Sequence, residues 1–284
     1  MEPGDAVGLH SRRIVYFSKR GIPLTTLHTL ASWSSGNAAL LSRNGTHLLI
    51  DAGISCRRIT HSLRQLGLTP QSLSGIFITH SHTDHVSGLN TILKQWDIPI
   101  YATRDTGRQL SYKIAGIDKR LVTISQDSSL SVGGITVSPF ATAHDAPGSC
   151  GYRFDDTGFL TDTGYITEAA AATLSGAALL VLEANHDVET LLSGPYPYFL
   201  KERILSRYGH LSNEAAAEFA RICAESGTRE IVLAHLSHEN NTPAMAHNAV
   251  AQALSVLDTP PLLSVAPRDE LSRCYQTEET ICRK

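Results

Sequence analysis

The chain has no apolar run approaching eighteen residues, no Cys-x-x-Cys pair and no excess of charge of one sign. The first absence excludes a membrane-spanning helix, which needs about twenty predominantly apolar residues in a row. The second concerns Cys56, Cys150, Cys223, Cys274 and Cys282. Their number is odd and their spacing unpaired, so no disulfide framework is indicated and a reducing, cytoplasmic compartment is favoured. The third, a formal net charge of −3, removes any general attraction for nucleic acid. Contact with a polyanion must then come from a local basic or hydrogen-bonding surface, because phosphate neutralisation supplies most non-specific affinity. What is present is 284 residues, 42% of them hydrophobic, enough to bury a large core in one layered α/β domain.

Residues 1–24 stand apart from the rest. They carry Arg12, Arg13, Lys19 and Arg20 without the continuous apolar stretch of a secretory signal, and Glu2 and Asp5 weaken a transit-peptide reading. The expectation is a flexible N-terminal extension, with a basic arm touching nucleic acid as the functional alternative. Residues 25–284 read as a single domain in which short strands alternate with helices. Helices are expected over about Arg57–Leu66, Gly88–Gln95, Thr106–Ile114, Ile166–Leu174, Tyr198–Tyr208, Asn213–Glu225 and Pro243–Leu257. The last has Thr242 as N-cap and Pro243 at the first helical position. There is no internal repeat and no low-complexity stretch.

The most informative segment is Thr79–Gly88, THSHTDHVSG. His80, His82, Asp84 and His85 directly follow the apolar run Ile76-Phe77-Ile78, as suits a strand that ends and turns, so that imidazoles and a carboxylate converge on one point. Borderline divalent metals take neutral imidazole nitrogen and carboxylate oxygen, and a catalytic site keeps a position for water. An isolated His-x-His is as readily a polar turn, but the denser pattern behind a strand points to a binuclear metal site. One segment cannot fill two coordination spheres, so further ligands must come from elsewhere. Four more polar residues sit where apolar strands run out: Asp51 after His47–Ile50, His144 after Ile135–Ala143, Asp162 after Gly158–Thr161 and His235 after Glu230–Ala234. The arm before Asp162 is expected to belong to a hairpin turning at Asp155-Asp156-Thr157-Gly158. One histidine at a strand end is usually a satisfied core residue; five strand ends carrying only Asp or His argue against coincidence.

Asp51, His80-x-His82-x-Asp84-His85, His144, Asp162 and His235, in that order, resemble the five motifs of the metallo-β-lactamase-fold hydrolases, from about residue 27 onward. Within that superfamily the chain is similar to the YycJ/WalJ-like group. The segments that carry this likeness are Ser34–Asn37, Leu49–Gly53, Glu183–Asp187, Gly209–Asn213 and His235–Asn241. The resemblance implies a four-layer αββα sandwich and a bacterial cytoplasmic hydrolase, a 5′→3′ DNA exonuclease with a two-metal centre of Zn2+ or Mn2+. It assigns His80, His82 and His144 to one metal, Asp84, His85 and His235 to the other, and Asp162 between them. Two such metals, about 3.5–4 Å apart, lower the pKa of a shared water so that hydroxide is available as nucleophile near neutral pH. Asp51, with no obvious coordination slot, is read as the acceptor of a ring N–H from a ligating histidine; a turn-forming Asx residue would look the same.

Catalytic roles are thus expected of Asp84, Asp162, Asp51 and His238, the last as leaving-group acid or phosphate ligand. For substrate contact the candidates are Ser34, Ser35 and Asn37, which can offer hydroxyl, amide and backbone donors to phosphate, and His186, His210, His238 and Asn241. An ordinary hairpin turn or an exposed histidine would look much the same. Other uses of the same centre are hydrolysis of a small phosphodiester, a thioester or a lactone. A glyoxalase II-type thioesterase would add a helical segment, and a β-CASP nuclease would need a large insertion where residues 163–234 read as native fold elements. A metal-dependent regulatory protein without turnover is the reading from another class, and an intact ligand set speaks against it.

Overall fold

In the computed structural model the chain is described over residues 24–277. The expected extension at residues 1–24 therefore lies outside the described residues but for Leu24, and so does Cys282. The described residues form two seven-stranded sheets. The first is built from β1 (Thr26–Ala31), β2 (Ala38–Arg43), β3 (Thr46–Ile50), β4 (Leu73–Phe77), β5 (Ile100–Thr103) and β6 (Leu121–Ile124). The second runs through β7 (Leu130–Val132), β8 (Ile135–Ala141), β9 (Cys150–Phe154), β10 (Thr157–Leu160), β11 (Leu179–Glu183), β12 (Glu230–Ala234) and β13 (Leu262–Val265). A last short strand, β14 (Tyr275–Gln276), returns to the first sheet and pairs with β1.

Strand alternation builds the layers. On β3, Leu48 and Ile50 join Leu41, Phe77, Tyr152, Phe154, Val181 and Val232 in a core between the sheets, while Leu49 faces the other way with Leu40 and Ile76. That outer face packs on α1 (Cys56–Gln65) and, beyond the four-residue turn α2 (Thr83–Val86), on α3 (Leu89–Gln95), through Ile59, Leu63, Leu89 and Ile92. Next along the chain are α4 (Arg104–Lys113), α5 (Glu168–Leu174), α6 (Val188–Ser193), α7 (Tyr198–Leu205), α8 (Asn213–Glu225) and α9 (Pro243–Leu254). The outer face of the second sheet is covered by α5, α8 and α9, with Leu180, Leu182 and Leu233 against Leu174, Phe219 and Val250. The result is the expected four-layer αββα sandwich, in which period-2 strands bury both faces.

Expected helices and observed ones differ mainly at their ends. The helix at Pro243 starts at its Thr242 cap and stops at Leu254, and the one at Tyr198 stops at Leu205, short of the expected Tyr208. The α2 and α6 helices are too short to carry a hydrophobic period and were not anticipated. In the hairpin between β9 and β10, Phe154 pairs with Thr157, so the turn is the two residues Asp155-Asp156, with Asp155 at φ +50°. Among the described residues no helix is long and apolar enough to cross a membrane.

Candidate metal centre

Each sheet delivers its polar residues from the C-terminal ends of strands that run the same way. In the first sheet β3 and β4 are parallel; in the second, β10, β11 and β12 are parallel, and β8 shares their direction because β9 is antiparallel to both β8 and β10. Asp51 ends β3 and the His80–His85 loop follows β4, while His144, Asp162, Glu183 and His235 come from the ends of β8, β10, β11 and β12. The His80–His85 loop is tied to the segment after Asp51 directly by Ala52 N to His85 O, through Asn37, whose N bonds Asp84 O and whose O accepts from Gly53 N, and just past the loop by Gly88 N to Ala52 O, each 2.8 Å. A side chain at Gly53 would collide with the Asp84 carbonyl, so close approach of the backbones requires glycine there.

The ligand atoms fall into groups whose members lie within 4.8 Å of one another: His80, His82 and His144; Asp84, His85 and His235; and, spanning these two, His80, His85 and Asp162. A fourth group joins Asp162, Glu183, His210 and His235. Four of the rings turn one nitrogen outward and the other inward. His85 Nδ1 donates to Asp51 Oδ2 at 2.7 Å, His144 Nδ1 to Gly209 O at 3.0 Å, and His235 Nδ1 to Glu183 Oε1 at 3.1 Å. His80 Nδ1 donates to Thr79 Oγ1 at 3.1 Å, and that hydroxyl donates to Asp51 Oδ2 at 2.9 Å. Such outer contacts occupy Nδ1 and leave Nε2 as the nitrogen that faces a metal, a lone pair once any proton on it is released.

The inward atoms fit a cation better than they fit one another. His80 Nε2 is buried without a hydrogen-bond partner, and His144 Nε2 faces His82 Nδ1 at 3.2 Å. His85 Nε2 lies 3.2 Å from Asp162 Oδ2 and 3.3 Å from Asp84 Oδ2, and His235 Nε2 lies 3.4 Å from Asp84 Oδ2 and 3.5 Å from Asp162 Oδ1. The electrostatics divide accordingly. Burial opposes the charge on His85 and His235, but Asp162 and its neighbouring carboxylates outweigh it, holding His85 well above its ordinary value and raising His235 to about 10. Burial would raise the carboxylates, yet the histidines keep Asp162 well below its usual range, hold Asp84 low and bring Glu183 down to about 2. His80, His82 and His144 are lowered, first by burial and then by neighbouring histidines, and stay neutral. The protein thus holds positive charge among these carboxylates through His85 and His235, as divalent cations would.

Two residues take on roles the sequence did not suggest. Glu183, fully buried, ties His210 Nδ1 at 2.8 Å and His235 Nδ1 with one carboxylate oxygen and accepts from the Thr163 and Leu211 amides with the other. Its position at the end of an apolar strand was the available signal. Asp145 bridges His82 Nε2 at 3.5 Å and His144 Nε2 at 3.4 Å to Arg203 Nε at 2.6 Å.

The residues expected to touch substrate separate into distinct settings. Ser34 and Ser35 are exposed, in a loop whose Ser34 amide bonds Leu236 O; His238 is exposed too, its ring 6.2 Å from that of Trp33. His210 is half-buried beside the centre, 3.7 Å from Asp162. Asn37 and Asn241 are turned inward. Asn37 faces Asp84 Oδ2 at 3.4 Å and His85 Nε2 at 3.2 Å, and Asn241 is paired with Asn213 and Ala184 O. Both are buried and hydrogen-bonded within the protein, where the expected substrate contact would have them face solvent. His186 is buried, with neither ring nitrogen hydrogen-bonded, and burial lowers it to about 4, so it stays neutral inside the protein.

Residues 46–236 match the β-lactamase superfamily domain, and with this sandwich and ligand arrangement the chain belongs to that superfamily's metal-dependent hydrolases, in the YycJ/WalJ-like group. It is 38% identical over 238 residues to the exodeoxyribonuclease WalJ of Streptococcus pneumoniae serotype 2, covering 81% of this chain and 88% of that protein. It is 36% identical over 231 residues to the exodeoxyribonuclease YycJ of Bacillus anthracis, covering 79% and 87%. Among solved structures, the metallo-β-lactamase-fold protein YhfI of Bacillus subtilis superposes with a TM-score of 0.67 at 16% identity, covering 89% of this chain and 99% of that one, a likeness of fold.

Proposed function

We propose that the protein is a 5′→3′ DNA exonuclease of the cytoplasm that uses two divalent metals, Zn2+ or Mn2+. The observation that carries the metal part is the inward convergence of imidazole and carboxylate atoms, with His80, His85, His144 and His235 each held from behind. The DNA part rests on the relatives named exodeoxyribonucleases, which match over most of their length. His80, His82 and His144 would hold one metal and Asp84, His85 and His235 the other, with Asp162 shared between them. When bound, the metals supply a water acidified to near-neutral pH and positive charge for the anionic transition state.

The chain's own residues do the rest. Asp51 and Glu183 orient His85 and His235, and Asn37 holds the Asp84 carboxylate. Ser34 and Ser35 face solvent where phosphate hydroxyl contacts are possible. Of the two candidates for protonating the leaving oxygen, His210 is hinged on Glu183 beside Asp162, and His238 stands at the rim against Trp33. The test is incubation of metal-loaded protein with 5′- and 3′-labelled single- and double-stranded DNA beside a small phosphodiester and a thioester. Stepwise loss of nucleotides from the 5′ end supports the proposal. Hydrolysis of the small ester or thioester with intact DNA overturns it.

A further inference from the structure

The polypeptide from Tyr196 to Tyr208 sets large aromatic rings in water beside the metal centre. Tyr198 is 75% exposed, Phe199 71% and Tyr208 62%. Large exposed rings recurring along one short segment single out a candidate contact surface. The segment is anchored, not loose: Lys201 Nζ donates to the Leu192 and Gly194 carbonyls at 2.6 and 2.8 Å, and the Gly209 carbonyl just beyond holds His144. Arg203 donates to Asp145, whose other oxygen contacts His82 and His144, so this guanidinium stands at the mouth of the centre. Residues four apart on a helix share a face and lie about 6 Å apart along its axis. Phe199 therefore shares the Arg203 face of α7 about one turn away, the scale of one extended nucleotide. At the other end of the segment, the Arg207 guanidinium lies 4.8 Å from the centroid of the Tyr165 ring, next to Tyr208.

Rings interleaved with cations suit one occupant above others. A protein partner is met by an apolar core with charge kept to the rim. Here Lys201, Arg203 and Arg207 lie within the aromatic run, against the single acid Glu202. A single-stranded nucleic acid offers base faces to the rings and phosphates to the guanidinium groups, whereas a duplex hides its base faces in its own stack. Resting on the exonuclease reading above, we propose that α7, with Tyr165 and Tyr208, is a stacking platform for an unpaired DNA end, so that the strand reaches the metals single-stranded.

The test uses the metal-loaded full chain and phosphorothioate-linked oligonucleotides that resist cleavage. Anisotropy titrations compare a labelled oligothymidylate with a blunt hairpin duplex for wild type, Phe199→Ala, Tyr208→Ala, their double variant and Phe199→Trp. Each alanine is expected to weaken single-strand binding about tenfold, with duplex binding little changed, and Phe199→Trp to retain it. Unchanged single-strand affinity in the double variant overturns the platform, even if wild type degrades DNA. Weakened binding in the variants upholds it, even if wild type cleaves no DNA and the exonuclease reading fails. Self-association of the wild type that the alanines abolish, with DNA affinity intact, assigns the surface to a second copy and also overturns the proposal.

Discussion

Asp51 and His85 form a buried pair, the carboxylate oxygen Oδ2 2.7 Å from ring nitrogen Nδ1, at the seam where the first strand layer meets the His80–His85 loop. The same carboxylate takes the Thr79 amide at 2.8 Å and the Thr79 hydroxyl, which in turn accepts from His80. One acid thus aims two candidate ligands assigned to different metals. Asp51→Ala should lower metal affinity by about 10- to 100-fold without removing a ligand. Metal titration followed by activity checks this, and unchanged affinity at both sites would remove the positioning role.

His80→Ala, Asp84→Ala and Asp162→Ala should each cut turnover by orders of magnitude while leaving the sandwich folded, because these residues sit at the sheet edge past the strands that carry the apolar core. Circular dichroism and metal analysis must accompany the rates. Wild-type turnover in all three variants would sink the binuclear assignment.

Metal uptake at pH 7 should expel about two protons, since His85 and His235 are charged without metal and must be neutral to ligate. The sign follows from raised values: affinity should strengthen as pH rises toward the His235 value of about 10. Calorimetry in buffers of different ionisation enthalpy reads the protons directly. A binding enthalpy independent of buffer would contradict the charge division described above.

Ser35→Ala and Asn37→Ala should part company. Ser35 is exposed, so its loss should weaken action on DNA more than on a minimal phosphodiester, which cannot use remote contacts. Asn37 braces Asp84, so its loss should slow both substrates alike. Rates on the two substrates decide, and a DNA-specific defect in Asn37→Ala would restore it to the substrate surface.

Cys150 and Cys223 should resist thiol reagents at pH 8 until the protein unfolds, because burial pushes both thiols up to about 12. Labelling followed by peptide mass mapping tests this; rapid native modification of either would contradict the packing around β9 and α8.

The sandwich and the convergence at its edge were legible because both rest on local pattern. Apolar runs of strand length declare themselves, and a polar residue at their end stands out, as with Asp51, Asp162 and His235. Glu183 meets the same criterion at the end of β11, but a pattern defined by Asp and His alone passes over it. The burial of Asn37 and Asn241 was not legible for a different reason. An amide in a Ser/Asn-rich loop looks alike in sequence whether it faces water or a buried partner, and only the packing of distant segments decides. Asp145 was hidden because its link to Arg203 spans residues far apart in the chain.

Asp51, Asp162 and His235 also share a backbone conformation, with φ of +58°, +57° and +58°. That left-handed geometry is easy for glycine and costs other residues something of order 1–3 kcal/mol. At each of the three places the side chain it presents offsets that cost by its contacts at the centre. In a descendant that retained this sandwich as a scaffold and abandoned turnover, glycine is the residue expected to drift into these three places first. Glycine at these strand ends is the replacement this backbone geometry favours wherever the side chains are no longer used.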